Sequence, residues 1–473
     1  VPAPVSAPRA AAALPFIVDL LELKDGKVLF TDQTGKKPTE IPLEEIDLTL
    51  KSVSLTRPVE FQGRVALLSG RQNVRFNGRF FFDFEKGTMA LEEGALETDL
   101  GDLEMGRLLE AFPKLKKQGL REGLAGELRF KLDTLQVGPG GVADLAGEIS
   151  LSGGRIVLPE LAGPLQNLAF ETAFRKEKVE LRSFSANLAG GTFSGSGTVT
   201  NWLAGRPQVT FQLRADQLAL DQLVERKDPN EPYFQGILSA AFQGSAQAND
   251  WEGIPQGFSG HGKINVTEGV LMNLNVLREV FNKISVIPGL VEKLQSRLPE
   301  SYQEKLNAKD TRFEPIELPL VVRDQFLYLQ DFRVASEGFQ ILGSGRLSFD
   351  GTPEGITLLL ADPDLSAAFI RSIHELQYLT TPRGELQIPL VISGRIPEVR
   401  ILPDVPRIAS LLAVAKTQEV VGGLIERKLL KKEPTTTAPS TQEPQPQDKL
   451  GFLGQLLEEA LEGTTSQSSQ TGK

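Results

Sequence analysis

One strand-like unit occurs twice in this chain, and a duplicated unit of that size restricts the fold to architectures that grow by addition. The stretch GEISLSGGRIVL, from Gly147, returns as GKINVTEGVLMN, from Gly262. Likewise VELRSFSANLAGGTFSGSGTVT, from Val179, returns as LYLQDFRVASEGFQILGSGRLSF, from Leu327. In the first half Gly147, Ile149, Leu151 and Gly154 match Gly262, Ile264, Val266 and Gly269. In the second, Leu181, Phe184, Gly190, Gly195 and Gly197 match Leu329, Phe332, Gly338, Gly343 and Gly345. The halves stand 33 residues further apart in the second copy, since 329 − 262 is 67 and 181 − 147 is 34. A weaker third copy opens the chain, where Leu21, Leu23, Gly26 and Val28 stand as Ile149, Leu151, Gly154 and Ile156 do. Repeats of this kind stack side by side into one extended surface, and such surfaces bind or conduct more often than they catalyse.

Within the units, apolar and polar residues alternate over short runs broken by Gly, Asp, Asn or Pro, which is the period of a β-strand with one dry face. The clearest run sets Val74, Phe76, Gly78, Phe80, Phe82 and Phe84 among Arg75, Asn77, Arg79 and Asp83, with Phe81 as the exception. The same period runs through Leu168, Phe170 and Phe174, through Val209, Phe211 and Leu213, and through Ile316, Leu318, Leu320 and Val322. Successive side chains point to opposite faces, so these runs predict antiparallel sheets with one apolar and one wet face. Glycine weakens a strand interior, so Gly195 with Gly197, and Gly343 with Gly345, predict bends or bulges where a sheet curves. The expected fold class is mainly β with minor α: repeated curved antiparallel sheets forming an elongated β-groove, with amphipathic helices inserted near and after the C-terminal repeat. A closed β-sandwich would show the same alternation on its inner face, and the period alone leaves both open.

The extra residues of the second copy read as helical. In NLNVLREVFNKISVIPGL, Val276, Leu277, Val280, Phe281 and Ile284 fall at helix spacing, Asn273 or Asn275 is available as a cap, and Pro288-Gly289 stops the run. Such an element packs on or across a sheet, or serves as a lid or membrane-touching helix; Val276, Val280, Phe281 and Ile284 form its lid or cap face. Further helices are expected at 290–298, 105–117, 365–379 and 406–432. The expected organisation is a flexible segment 1–13, a first β-repeat module 14–120, a second 121–235, and a C-terminal module 236–405 with a helical insert 273–307. A helix 406–432, a disordered Pro/Thr/Gln-rich linker 433–449 and a short amphipathic helix with its tail, 450–473, follow.

Reactive chemistry finds little material. There is no cysteine, so thiol catalysis, disulfides and thiolate metal sites are excluded together. Only His261 and His374 are present, too few for a histidine zinc cluster, and neither sits in a Ser-His-Asp pattern. GFSGHGKI, from Gly257, has phosphate-loop spacing, but Ile264 replaces the hydroxyl residue and a strand follows where a helix should open. The carboxylate pairs Glu44 and Glu45, Glu92 and Glu93, and Asp362 and Asp364 read as turn or surface acids rather than a hydrolytic dyad. A net charge of −10 gives no basic footprint for nucleic acid, and 26 Phe against 4 Tyr and 2 Trp suit packing or lipid better than sugar or base stacking. The expectation is a protein that is not an enzyme, with no catalytic, cofactor or metal residues. No run of eighteen apolar residues occurs, and the loose VPAPVSAPRAAAALP opening without a methionine leads us to expect an anchor upstream.

The order of phrases in the C-terminal part narrows this to a family. The succession VLMNLNVLREVFNKISVIPGLVEKL, LPESYQEKLNAKDTRFEPIELPLVV, LYLQDFRVASEGFQILGSGRLSF and DLSAAFIRSIHELQYLTTPRGELQIPLVISGRIPEVRILPDV resembles the C-terminal region of AsmA-like bacterial envelope proteins over Gly257 to Val405. Its distinctive pieces are Ile287-Pro288-Gly289, Gly343-Ser344-Gly345, and Ile388-Pro389 to Gly394 before Pro403-Asp404. Residues 14–225 look like the upstream repeats of the same family, with LELKDGKVLFTD and LAGGTFSGSGTVT as telling phrases. The resemblance implies a periplasmic protein of the Gram-negative envelope, anchored in the inner membrane in its full-length form. It further implies repeated β-grooves that serve phospholipid transfer and outer-membrane biogenesis. The expected partners are phospholipid acyl chains, the membrane through the missing anchor, and other envelope proteins. The positions nominated as groove lining are Phe76, Phe80, Phe82, Leu168, Phe170, Phe174, Leu181, Phe184, Val209, Phe211, Leu213, Ile264, Val266, Leu318, Leu320, Leu329, Phe332 and Ile341. The alternative is a scaffold of closed sandwich repeats that assists outer-membrane protein assembly.

Overall fold

The computed structural model describes residues 17–32, 39–112, 115, 120, 123–158, 161–223, 230–284, 300–372, 374–395 and 398–412. The expected segments 1–13, 290–298, 433–449 and 450–473, and all of the terminal helix beyond 412, lie outside them.

The alternating runs form strands in three groups. The first holds β1 (Ile17–Asp32), β2 (Thr39–Ser54), β3 (Val59–Leu67), β4 (Val74–Asp83) and β5 (Thr88–Asp99), and ends in helix α1 (Met105–Ala111). The second runs through β6 (Ala125–Gly138), β7 (Gly141–Ile156), β8 (Leu165–Arg175), β9 (Lys178–Leu188), β10 (Gly191–Thr200), β11 (Gln208–Ala219), β12 (Tyr233–Gln247) and β13 (Phe258–Met272). Helices α2 (Val276–Ile284) and α3 (Glu300–Asn307) intervene before β14 (Thr311–Arg312), β15 (Ile316–Arg323), β16 (Phe326–Ser336), β17 (Phe339–Ser348) and β18 (Pro353–Ala361). Helix α4 (Pro363–Ser372), β19 (Leu386–Arg395) and β20 (Glu398–Pro403) complete the described elements.

All twenty strands belong to one open antiparallel sheet, so the groove architecture replaces the closed sandwich. Each strand pairs with its sequence neighbour, β5 with β6 included; only β13 departs, taking both β14 and β15. The duplicated unit maps onto β7 with β9–β10 and onto β13 with β16–β17. β15 occupies the place of β8, and α2 and α3 account for the greater length of the second copy.

The repeat has a backbone signature. Asp25, Gly153 and Glu268 precede the matched Gly26, Gly154 and Gly269, and their φ values are +51°, +59° and +55°. A left-handed residue inside a strand is the mark of a bulge, and the register shifts at Leu23/Gly26 and Leu151/Gly154. The expected bulges at the Gly-x-Gly pairs are present, but the extra residues lie in the neighbouring strands. Gly195 and Gly197 face Phe184 and Leu181, while Gly343 and Gly345 face Phe332 and Leu329. The three-residue spacing in β9 and β16 therefore returns both apolar side chains to the same face.

Helices cover that face at its C-terminal end. Asn275 caps α2, its side-chain oxygen accepting from the Arg278 amide at 2.8 Å, while its amide group donates to the Lys305 and Ala308 carbonyls at 2.7 and 2.9 Å. With α4 the two helices close a core in which Leu359, Leu365, Ala368, Phe369, Leu386 and Ile388 are fully buried. The helix expected over 365–379 ends at Ser372, and a 3-10 segment runs from His374 to Leu379, burying Leu376 and Leu379 in the same core. α1, expected to reach Lys117, is capped at Phe112, whose amide bonds the Leu108 carbonyl, and buries Leu108 and Ala111.

Candidate functional site

Residues directly opposite each other in an antiparallel ladder share a face, so the register can be followed sideways across the sheet. One row passes Leu23, Leu48, Gly63, Phe76, Leu96, Phe130, Ile149, Thr172 and Leu181, and continues through Gly197, Phe211, Gly244, Gly260, Val322, Leu327, Leu347 and Pro353. It crosses every strand from β1 to β18 except β14, and Thr172 is its only polar side chain. A parallel row passes Val65, Val74, Thr98, Leu128, Leu151, Phe170, Phe184, Gly195, Leu213, Phe242, Gly262, Leu320 and Leu329, with Thr98 as its polar member. At the usual spacing of about 4.8 Å between strands, the first row is roughly 75 Å long measured strand to strand.

All eighteen nominated strand positions fall on this face. Phe174, Val266, Leu320 and Ile341 are buried, Phe82 is exposed, and the other thirteen are half-buried. Of the lid residues, Val276 and Val280 are buried in the C-terminal core, so α2 covers that end of the face. Phe281 and Ile284 belong to α2 by backbone, and their side chains lie outside the described residues. The nomination omitted Phe61, Phe130, Phe193, Phe242 and Phe258, which share the face. The signal was available for Phe130, since Leu128, Phe130 and Leu132 alternate with Arg129 and Lys131.

Rings and glycines alternate across the strands. Phe76 lies opposite Gly63, Phe61 opposite Gly78, Phe174 opposite Gly147, Phe242 opposite Gly262 and Phe332 opposite Gly343. A Cβ built on Gly147 would stand 2.4 Å from the Phe174 ring, and one on Gly260 would stand 2.5 Å from Phe242. Each ring thus lies flat over a backbone that only glycine leaves bare. Phe242 and Phe258 stack at 5.9 Å and 8°, and Phe130 and Phe174 at 5.6 Å and 16°.

The opposite face is polar. Its row through Glu22, Thr49, Gln62, Asn77, Ala95, Lys131, Glu148, Ala173, Glu180, Thr198, Thr210, Ser245 and Ser259 carries ion pairs such as Arg182 with Glu148 at 2.8 Å. An open cavity of about 880 Å³ lies here, walled by side chains including Thr198, Gln212, Gln243 and His261 and floored by the backbone of Leu181, Gly197, Phe211 and Gly244. Its lining mixes hydroxyls, amides and charged groups, and the Gln243 side chain meets the His261 ring. The segment from Gly257 to Ile264 enters strand β13, so the phosphate-loop spacing opens no helix.

Perturbed carboxyls belong to structure rather than to a reactive centre. Hydrogen bonds from Lys27 and Arg107 hold Glu44 below the usual glutamate range. Burial raises Asp362, which immediately precedes α4. Among the described residues no group of His, Cys, Asp and Glu could hold a metal ion. No helix among them is long and apolar enough to cross a membrane.

Comparison with known proteins gives one match. The family model described as the AsmA family matches residues 125–321, the stretch from β6 through most of β15. It overlaps the C-terminal resemblance only from Gly257 and extends it upstream through the doubly paired rows. No curated protein and no solved structure matches the chain.

Proposed function

We propose, from the premise that residues 125–321 make this an AsmA-like chain of an envelope-associated family, that it is a non-enzymatic protein shielding phospholipid acyl chains along the apolar face. The observation that carries this reading is the row from Leu23 to Pro353, which is free of polar side chains on every strand it crosses except β8. Exposing an acyl chain to water costs about 0.8 kcal/mol per methylene, so a sixteen-carbon chain meets a barrier on the order of 12 kcal/mol on leaving a bilayer. A face that remains apolar from strand to strand lowers that barrier along its length without any reactive side chain. Headgroups stay in water beside the open sheet, and net direction comes from lipid gradients or from partner proteins. The site of action is the periplasm, the protein being held at the inner membrane, and the outcome served is outer-membrane biogenesis. A scaffold for outer-membrane protein assembly is the competing reading, favoured by the sheet edges at β1 and β20, each paired on one side only among the described residues.

Native mass spectrometry of gently purified protein separates the two. We expect co-purified phospholipid, and photo-crosslinkers placed at Phe170, Phe211 and Phe332 should capture it. Protein free of lipid, with no capture at any of the three positions, would sink the acyl-chain reading and leave the scaffold.

A further inference from the structure

The edge strand β1 does not have the composition of an edge that faces water. Leu20, Leu21, Leu23, Val28, Leu29 and Phe30 are 44–56% exposed. Leu20 and Leu29 lie on the polar face of the sheet, where an acyl chain on the other face has no use for them. Along the outer side of the strand, the backbone N–H and C=O groups form an unpaired row among the described residues, which is a template for another strand. A bilayer would cover the side chains but leave that row unpaired.

The sequence of β1 is complementary to itself in one register. Set antiparallel over its whole length, so that Ile17 faces Asp32, it places Leu20 opposite Leu29, Leu21 opposite Val28 and Leu23 opposite Gly26. The same register sets Glu22 against Lys27 and Lys24 against Asp25, so the four central charges each meet an opposite one, while Asp19 and Asp32 at the ends face Phe30 and Ile17. Sliding by two residues either way brings Glu22 onto Asp25 or Lys24 onto Lys27. The bulge at Asp25 makes the register consistent with the faces. Before it the apolar face carries Leu21 and Leu23, after it Gly26 and Val28, so pairs whose numbers differ in parity keep like faces together. Glu22 is 50% and Lys27 68% exposed at the side chain, and both remain accessible beside their contacts to Lys24 and Glu44.

We infer that β1 pairs with β1 of a second copy of this chain about a two-fold axis perpendicular to the sheet. The two apolar faces then lie on the same side, and the row through Leu23 continues from one copy into the other. Each charge pair occurs twice, so reversing one residue changes two contacts.

Sedimentation across a roughly hundredfold range of concentration should show a monomer–dimer equilibrium, as mass action requires. Glu22→Lys sets like charges opposite and should weaken the dimer about tenfold, since each such pair contributes a fraction of a kcal/mol and there are two. Adding Lys27→Glu should restore it. The chain has no cysteine, which allows a register test without background: Leu21→Cys mixed with Val28→Cys should form a disulfide-linked dimer, and neither should do so alone. A monomer at every concentration, a dimer indifferent to charge reversal, or Leu21→Cys crosslinking to itself would overturn the inference. So would a monomer that floats with phosphatidylglycerol vesicles and loses this in the L20K/L29K variant, which would assign the strand to a membrane.

Discussion

The strands before and after the helical insertion hold the same apolar face in opposite states. Around Phe211, Leu213 and Phe242 the rings lie over neighbouring glycines, half-buried and open above. Around Phe339, Ile341 and Leu359 the corresponding side chains are buried under α2, α3 and α4. The sheet is the same, the ladder is the same, and both regions pair Phe with Gly across strands. What differs is the helical insertion between β13 and β14 and the helix after β18. An apolar sheet face is sealed into an extensive core where the chain lays helices on it, whereas the small cluster of Ile46, Val65 and Val74 forms among strands alone.

That contrast is open to direct attack. Phe369→Ala, on the fully buried side of α4, should destabilise the chain by about 3–5 kcal/mol, while Phe211→Ala in the open stretch should cost about 1–2 kcal/mol. Urea unfolding of the two variants measures the gap; equal losses would mean the open stretch is packed as tightly as the capped one. A smaller effect of opposite sign is expected from the hydroxyls. Thr357 is buried in the capped core with no partner for its Oγ1, so Thr357→Val should stabilise by about 1 kcal/mol. Thr172 is half-buried in the open row, where water reaches it, and Thr172→Val should leave the unfolding midpoint within error.

The smallest effects lie in pH dependence, and the two regions should differ in sign. Glu44, lowered by Lys27 and Arg107, gives stability that is fully present above its ordinary value of 4.5 and is lost as pH falls through the lowered one. Glu44→Gln should therefore flatten the acid limb of the melting curve. Asp362, raised by burial, imposes a penalty above its raised value that is relieved as pH falls toward its ordinary 3.8. Asp362→Asn should raise the melting temperature at neutral pH and change little in acid. Melting curves from pH 3 to 7 read both, and parallel shifts in the two variants would contradict the opposed causes.

Much of this was legible in the residues. The alternation from Val74 to Phe82 declares a face, and the pairs Gly195 with Gly197 and Gly343 with Gly345 declare where the sheet bulges, because only local sterics are involved. The helix from Val276 to Ile284 announces itself by spacing and by Asn275. Spacing by three in Leu181 and Phe184, or Leu329 and Phe332, contradicts a simple strand period; the bulge that reconciles it depends on the neighbouring strand. The sideways rows were equally hidden, since register is a relation between segments. Nor does any local pattern separate Phe332, which packs against the capped core, from Phe184, which stands open. Open groove and closed sandwich have identical alternation, and only the absence of a facing sheet tells them apart.

The pairing of each strand with its successor sets the order in which this molecule can assemble. A hairpin such as β9 with β10 closes a two-residue turn between Leu188 and Gly191, so its loop-closure entropy is small and its contacts can form while later residues are still distant. β15 is the exception, because it must find β13 across all the residues from Asn273 to Pro315. The expectation is rapid zippering up to β13, then a slower step in which the insertion collapses and β15 docks. The strands from β16 onward can pair among themselves on β15, but they join the rest of the sheet only when that step is done.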